Sequence, residues 1–148
     1  MIITLVNDTF NVNKNGITIS SMRFAEALAQ RGHQIRVITC GDPSESGIDP
    51  ATGFEMFYLP ELKVPIASRL AHKQNTLFAK PVRSVLEKAI SGSDVVHICQ
   101  PWPLGNAAQR IAGKMNIPVM AAFHIQPENI TYNIGLKRFP LLAHLIYF

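Results

Sequence analysis

The residues of this chain whose types could do chemistry lie just after its apolar stretches. His124 follows the apolar run Val119 to Phe123, and Glu128 comes four residues later. A histidine at the carboxyl end of a strand can exchange a hydrogen bond with a ligand hydroxyl near neutral pH, and a nearby carboxylate can bind or orient a sugar hydroxyl. A lone histidine of this kind is also often structural, so the sequence around His124 leaves both interpretations open.

His97 also lies at the end of an apolar stretch. Val95 and Val96 precede it, and this context favours a buried, supporting role over direct ligand contact. The other histidines show no spacing typical of a closed metal site. The sequence therefore predicts no metal ligands.

Gly16 is a candidate for phosphate binding because it begins a predicted helix. The N–H groups and the dipole of a helix start attract phosphate. The simpler alternative is that Gly16 only makes the turn, and the local sequence does not decide between the two. Its loop lacks the three spaced glycines of a dinucleotide-binding fold and the Lys and Ser/Thr pair of a P-loop, which disfavours a nicotinamide dehydrogenase and a P-loop nucleotidase.

Other chemistries have weak support. The chain has no Gly-x-Ser-x-Gly elbow, no cysteine with a catalytic signature and no basic and aromatic alternation typical of nucleic-acid modules. Cys40 and Cys99 end two predicted strands that should flank the first strand. They would then be roughly 9 to 10 Å apart, too far for a disulfide, so we predict two buried thiols.

The elements that must position these residues alternate between strands and helices. Apolar runs predict strands, and periodic apolar positions predict helices over 82–90 and 107–115 between them. The predicted strands are Ile2 to Val6, Gln34 to Thr39, Phe54 to Leu59, Val95 to Cys99 and Val119 to Phe123. This pattern indicates an α/β fold with a Rossmann-like, doubly wound parallel sheet. Ligands bind outside the carboxyl ends of such strands, so function should be sought first in the loop from Asn7 to Gly16.

Two segments are predicted to be connections. The turn-rich stretch 41–53 should be an exposed excursion, and Pro101 to Gly105 should form the turn after the strand that carries His97.

Composition points to one globular domain of 148 residues, with 47% hydrophobic and 16% charged residues. Apolar stretches are too short for a membrane span, and the start lacks a signal-peptide pattern, so we expect a cytoplasmic protein. The net charge is +4, and basic residues interleaved with apolar ones fit a peripheral contact with an anionic membrane at its inner face. A solvated helix face is at least as good an interpretation. The residues concerned are Lys63, Arg69, Lys73, Lys80 and Arg83.

Taken together, an ordered set of motifs resembles the N-terminal domain of GT-B glycosyltransferases of family four, the retaining group 1 transferases. The resemblance covers essentially the whole chain. The motifs are Asn15, Gly16 and Ile17 before a helix; Arg31, Gly32 and His33; Asp94, Val95, Val96 and His97; Pro103, Leu104 and Gly105; Ile117, Pro118 and Val119; and His124 with Gln126, Pro127 and Glu128.

The resemblance implies a two-domain enzyme. Its N-terminal half would bind the acceptor, and its C-terminal half would bind a nucleotide sugar, such as UDP-glucose. Asn15, Gly16 and Ile17 would approach the donor diphosphate, and His124 would reach the transferred sugar. The acceptor side would hold the residues His97, Gln126 and Glu128. Such enzymes generally need no metal or other cofactor beyond the nucleotide-sugar co-substrate.

The sequence around His124 looks closest to members that glycosylate diacylglycerol or related lipids. Asn15 stands where the family often has a second glycine, and the family's donor-binding glutamate pair belongs to the C-terminal half. We therefore expect residues 1–148 to be the N-terminal domain of a truncated, longer enzyme and to be inactive alone. The alternatives are a non-catalytic accessory module of a split transferase and a basic lipid-binding protein.

Overall fold

The computed structural model describes residues 1–10, 16–63, 68, 72 and 76–122. Six strands form one sheet: β1 (Ile2–Val6), β2 (Gln34–Cys40), β3 (Gly47–Ile48), β4 (Glu55–Leu59), β5 (Val95–Ile98) and β6 (Val119–Ala121). Three helices are described: α1 (Gly16–Gln30), α2 (Arg83–Ile90) and α3 (Pro103–Lys114). The strand order is β3-β4-β2-β1-β5-β6, and all neighbours are parallel except β3 and β4. The predicted α/β doubly wound sheet is confirmed.

The sheet is covered on both faces because residues of its central strands alternate between two apolar clusters. Leu5 of β1 packs in the cluster beneath α1, whereas Val6 packs in the cluster beneath α2 and α3. The same alternation holds on β5, where Val95 joins the α1 cluster and Val96 the other. Whether a strand residue packs on the α1 face of the sheet or on the α2 and α3 face therefore follows from its position in the sequence.

Helix α1 ends at Gln30, directly before the Arg31, Gly32 and His33 motif. Gly32 adopts a left-handed φ of 83°, and its N–H donates to the carbonyl of Ala29 at 2.9 Å. The N–H of His33 donates to the carbonyl of Leu28 at 3.2 Å. A glycine after the last helical turn tolerates this conformation without strain, and the chain turns directly into β2.

The stretch 41–53 is exposed as predicted, but it also adds a strand. A 3-10 turn (Pro43–Glu45) leads into β3, which pairs antiparallel with β4 at the sheet edge. The sequence does not reveal β3 because two residues are too few to show an alternating pattern.

The predicted turn 101–105 is too long, because α3 already begins at Pro103. Gly105 is buried in the first turn of α3, where a Cβ atom would lie 2.2 Å from the carbonyl oxygen of Gln100. This glycine therefore permits the close packing of α3 against the end of β5.

A short antiparallel stem follows β4 at the carboxyl end of the sheet. The N–H of Leu62 donates to the carbonyl of Phe78 at 2.7 Å, and the N–H of Lys80 donates to that of Pro60 at 2.8 Å. Glu61 and Ala79 form the bridge between these two bonds. We call residues 60–62 and 76–80 the stem. Over the part of the chain that is described, no helix is both long and apolar enough to cross a membrane.

Candidate functional site

The candidate site lies at the carboxyl edge of β1 and β5, where the sheet changes its winding direction. Chain connections lead from β1 toward β2 on one side and from β5 toward β6 on the other. Such a reversal opens a crevice at the strand ends, which is the usual ligand position in open α/β sheets. The residues that follow β1 here are Asn7, Asp8 and Thr9, and all three are buried.

Asp8 links the ends of several elements at this edge. Its N–H donates to Oε1 of Gln100, just after β5, at 3.2 Å. Its Oδ1 accepts the N–H of Ala79 in the stem at 2.8 Å. Burial raises the pKa of Asp8 to about 7, although the Ala79 hydrogen bond opposes the shift. Near neutral pH this carboxyl group is therefore only partly ionised.

Thr9 is held from both sides. Its carbonyl accepts the hydroxyl of Thr18, in the first turn of α1, at 2.8 Å. Its own Oγ1 accepts the N–H of Leu77 in the stem at 2.9 Å. The next residue, Phe10, donates its N–H to Oγ1 of Thr39 on β2 at 3.1 Å. The backbone after β1 is thus fixed by side chains and backbone groups of three other elements.

Asn7 carries an unusual buried amide. Its Oδ1 accepts the N–H of Thr9 at 3.3 Å, but its Nδ2 is buried and has no hydrogen-bond partner in the described structure. A buried donor without a partner costs about 1 to 3 kcal/mol. Departures of this kind concentrate at functional sites, which agrees with the position of Asn7 at the crevice.

Gly16 is the first residue of α1 and is exposed. Its backbone lies outside the left-handed region, and no atom of the described chain would come within 4 Å of an added Cβ. A side chain at this position would therefore meet no described atom, and the phosphate-binding and turn-making interpretations of Gly16 both stay predictions. Ile17 follows it and is half-buried. Asn15 lies outside the described residues.

His97 is half-buried on β5, on the face covered by α1. Its ring centroid lies 5.0 Å from that of Phe24, with the rings tilted by 42°. This packing agrees with a supporting role. Its assignment to the acceptor side stays a prediction.

His124, Gln126 and Glu128 fall outside the part of the chain that the structure describes. The strand that leads toward them is described: β6 pairs with β5, and the N–H of Ala122 donates to the carbonyl of Ile98 at 2.9 Å. The described chain therefore stops beside the end of β5, at the same edge as Asp8.

The two thiols are free, as predicted, and their strands flank β1. Cys99 is buried, whereas Cys40 is half-buried. Burial raises the pKa of Cys40 to about 11, and the charges of Glu61 and Asp8 add to the shift. Burial also raises the pKa of Cys99, although a hydrogen bond from Ser21 opposes it. Both thiols stay protonated near neutral pH, which does not suit nucleophiles.

Sequence reasoning found the loop after β1 but missed the roles of Asp8, Thr9 and Gln100. A signal was present, because these polar residues directly follow two apolar strands that share an edge. Within the described residues, no group of three or more His, Cys, Asp or Glu side chains could hold a metal ion.

The chain forms a Rossmann-like domain of the kind that binds ligands at the carboxyl edge of its sheet. Its features are the parallel sheet, the reversal of winding between β1 and β5, and the exposed start of α1 at Gly16. The sequence profile of Glycosyltransferase Family 4 matches residues 14–147, and the chain belongs to that family.

Two curated relatives carry the name GDP-mannose-dependent alpha-mannosyltransferase. The protein from Corynebacterium glutamicum is 32% identical over 124 residues, which cover 83% of this chain and 29% of the relative. The protein from Mycolicibacterium smegmatis is 27% identical over 142 residues, which cover 92% of this chain and 36% of the relative. The chain thus spans about a third of the length of these relatives.

Among solved structures, a UGT transferase from Siraitia grosvenorii in complex with UDP is similar with a TM-score of 0.50 and 10% identity. The match covers 93% of this chain and 31% of that one. At this identity the likeness shows the fold alone, which is the Rossmann-like arrangement of a GT-B glycosyltransferase.

Proposed function

We propose that this chain is the N-terminal, acceptor-side half of a retaining GT-B glycosyltransferase, and that a C-terminal half binds the nucleotide sugar. The observation that carries the proposal is Gly16, an exposed glycine at a helix start where an added Cβ would meet no atom of the described residues. Open space before helix-start N–H groups suits the approach of a diphosphate. Family membership and the position of Gly16 near the carboxyl edge support the same function.

The proposed reaction moves a sugar from the nucleotide donor to an acceptor hydroxyl by front-face attack, without a covalent enzyme nucleophile. The N–H groups near Gly16 stabilise negative charge that develops on the leaving diphosphate. His124 contacts the transferred sugar, and Gln126, Glu128 and His97 serve the acceptor side. Diacylglycerol or another lipid is the proposed acceptor.

The names of the curated relatives bear on the choice of donor. Both are called GDP-mannose-dependent, so GDP-mannose stands ahead of UDP-glucose as the donor to test first. The remaining choice, between guanine and uracil and between mannose and glucose, belongs to the proposed C-terminal half.

The first test is sugar transfer by the complete polypeptide, with GDP-mannose and UDP-glucose as donors and diacylglycerol in anionic vesicles as acceptor. We expect product with one donor, and we expect His124→Ala to lower turnover while leaving the thermal unfolding midpoint unchanged. Transfer only to soluble acceptors would overturn the lipid assignment. Failure to bind or use any donor would favour the accessory-module alternative.

We also propose that the domain contacts an anionic membrane through the basic residues Lys63, Arg69, Lys73, Lys80 and Arg83. Lys63, Lys80 and Arg83 are exposed, and Arg69 and Lys73 are among the residues that are not described. A cleft of about 250 Å³ between α2 and α3 supports the proposal.

The cleft combines an apolar floor with a basic rim. Leu86 and Ile111 contribute to the floor, and Arg83, Arg110 and Lys114 are at the rim. Among the described residues that line the cleft, one is acidic: Glu87, which is paired with Arg83 at 2.6 Å. Cations beside apolar surface suit anionic headgroups that lie above acyl chains.

Reversing two of these charges should weaken membrane binding. Each basic residue near an anionic surface contributes about 1 kcal/mol, so Arg110→Glu with Lys114→Glu should lower binding to phosphatidylserine-rich vesicles by about 30-fold or more. Sedimentation with vesicles at low salt measures this change. The control is Arg23→Glu with Arg31→Glu, which alters net charge equally but changes exposed residues on and after α1, on the other face of the sheet. An equal loss in both variants would show that only net charge matters and would contradict the prediction.

A further inference from the structure

Thr9 joins two elements that come from distant parts of the sequence. Its carbonyl accepts the Thr18 hydroxyl at the start of α1, and its side chain bonds to Leu77 in the stem. Oγ1 accepts the Leu77 N–H at 2.9 Å and lies 3.4 Å from the Leu77 carbonyl oxygen, to which it can donate. One residue therefore holds the first turn of α1 and the stem at once.

Asp8 strengthens the same connection. Its Oδ1 accepts the N–H of Ala79, two residues beyond Leu77, at 2.8 Å. The side chains of Asp8 and Thr9 thus bond alternate residues along one strand of the stem, as a neighbouring strand would. Through the bridge from Ala79 to Glu61 and the bonds beside it, the connection extends to the other strand of the stem.

Burial makes these bonds hard to replace. Asp8, Thr9 and Ala79 are buried, and Leu77 is half-buried. Water has little access to substitute for a lost partner, and a buried N–H left unpaired costs about 1 to 3 kcal/mol. Removing the Thr9 hydroxyl should therefore leave the Leu77 N–H without its partner rather than exchange one bond for another, while the bond from Ala79 to Asp8 remains.

We propose that Asp8 and Thr9 are positioning residues that tie the stem to the start of α1, and that the stem belongs to the acceptor side of the site, so that it keeps a fixed place relative to Gly16 during sugar transfer. The part that concerns transfer rests on the proposed function, because only there do Gly16 and the stem serve donor and acceptor. The tie itself rests on the hydrogen bonds alone.

The test compares Thr9→Val, which keeps the shape and removes the hydroxyl, with Thr9→Ser, which keeps the hydroxyl. In Thr9→Val we expect the Leu77 amide to exchange with deuterium about tenfold faster, and Thr9→Ser to restore slow exchange. In the transfer assay, Thr9→Val should raise the acceptor KM roughly three- to tenfold while the donor KM stays unchanged.

Thr4→Val is the matched control. Thr4 is likewise a buried threonine, but it lies within β1, and its Oγ1 lies 2.7 Å from the hydroxyl of Ser93, just before β5. This variant should lose stability without faster exchange at Leu77 and without a change in acceptor KM. Equal acceptor KM effects in Thr4→Val and Thr9→Val would overturn the positioning role.

Amide hydrogen exchange tests the bonds of Asp8 and Thr9 to the stem independently of the proposed function. If the complete polypeptide transfers no sugar, the proposed function fails, and exchange at Leu77 still decides the tie. An unchanged exchange rate of the Leu77 amide in Thr9→Val overturns the proposed tie. Faster exchange in Thr9→Val, together with slow exchange in Thr9→Ser, supports it.

Discussion

Gly16→Ala should leave the free energy of unfolding unchanged or slightly higher while it lowers sugar transfer about 10- to 100-fold. Alanine is favoured over glycine within helices by up to about 1 kcal/mol, and no described atom would meet the new methyl group. The methyl group would instead stand where the proposed function places the donor diphosphate. Loss of charge-assisted hydrogen bonds worth about 1.5 to 3 kcal/mol gives the expected change in rate. Chemical unfolding and initial transfer rates, with donor concentration varied, measure the two effects.

Gly113→Ala is the matched control for this prediction. Gly113 lies in the last turn of α3, and its added methyl group would also meet no described atom. This variant should show the same small change in stability and full transfer activity. If Gly16→Ala retains full transfer, Gly16 does not approach the donor. If it unfolds the domain, the glycine serves the fold rather than the ligand.

The central part of the fold could be predicted because its signals are local. The apolar run of β1, the amphipathic α1 and the glycine at position 32 lie next to each other in sequence, and each has one structural interpretation. The positions of β2 and β5 beside β1 then follow from the common doubly wound strand order. This order also placed Cys40 and Cys99 on opposite sides of β1, where they stay unpaired.

The start of α3 was misplaced for an equally local reason. Its N-cap residue is Trp102, which makes no side-chain capping bond, so the usual Ser, Thr, Asp or Asn signal is missing. Pro103 was assigned to a turn, although proline is also common in the first helical turn. The burial of Gly105 depends on the approach of Gln100, which only the folded chain reveals.

The candidate site could be predicted as a place but not as a set of contacts. The loop after β1 was found from the general rule for strand ends. The partners of Asp8 and Thr9 in the stem are backbone N–H groups of Leu77 and Ala79, about 70 residues later. A backbone N–H is present at almost every residue, so the residue type does not reveal which N–H group is the partner.

Asp8→Asn should remove a pH dependence of stability that the buried carboxyl group imposes. The folded-state pKa is about 7, above the value of 3.8 for an unperturbed aspartate, so between these values the folded state binds a proton that the unfolded state lacks. The contribution to stability is then complete below pH 4 and is lost as pH rises through 7. From pH 5 to pH 8 the wild type should lose roughly 2 to 3 kcal/mol relative to the variant. Chemical unfolding at several pH values measures this difference.

The comparison isolates Asp8 because the amide keeps an oxygen that can accept the Ala79 N–H and cannot titrate. Any cost of burying the new NH2 group is constant with pH, whereas the carboxyl contribution is not. Asp49→Asn is the control, because the pKa of Asp49 is shifted in the opposite direction. Hydrogen bonds from Thr52 and Ala51 lower the pKa of this carboxyl group. Its contribution to the free energy of unfolding is therefore lost only in acid and is constant from pH 5 to pH 8. Parallel pH profiles for wild type and Asp8→Asn would show that Asp8 is ionised throughout this range. An anionic Asp8 would then face the approaching donor phosphate at every physiological pH.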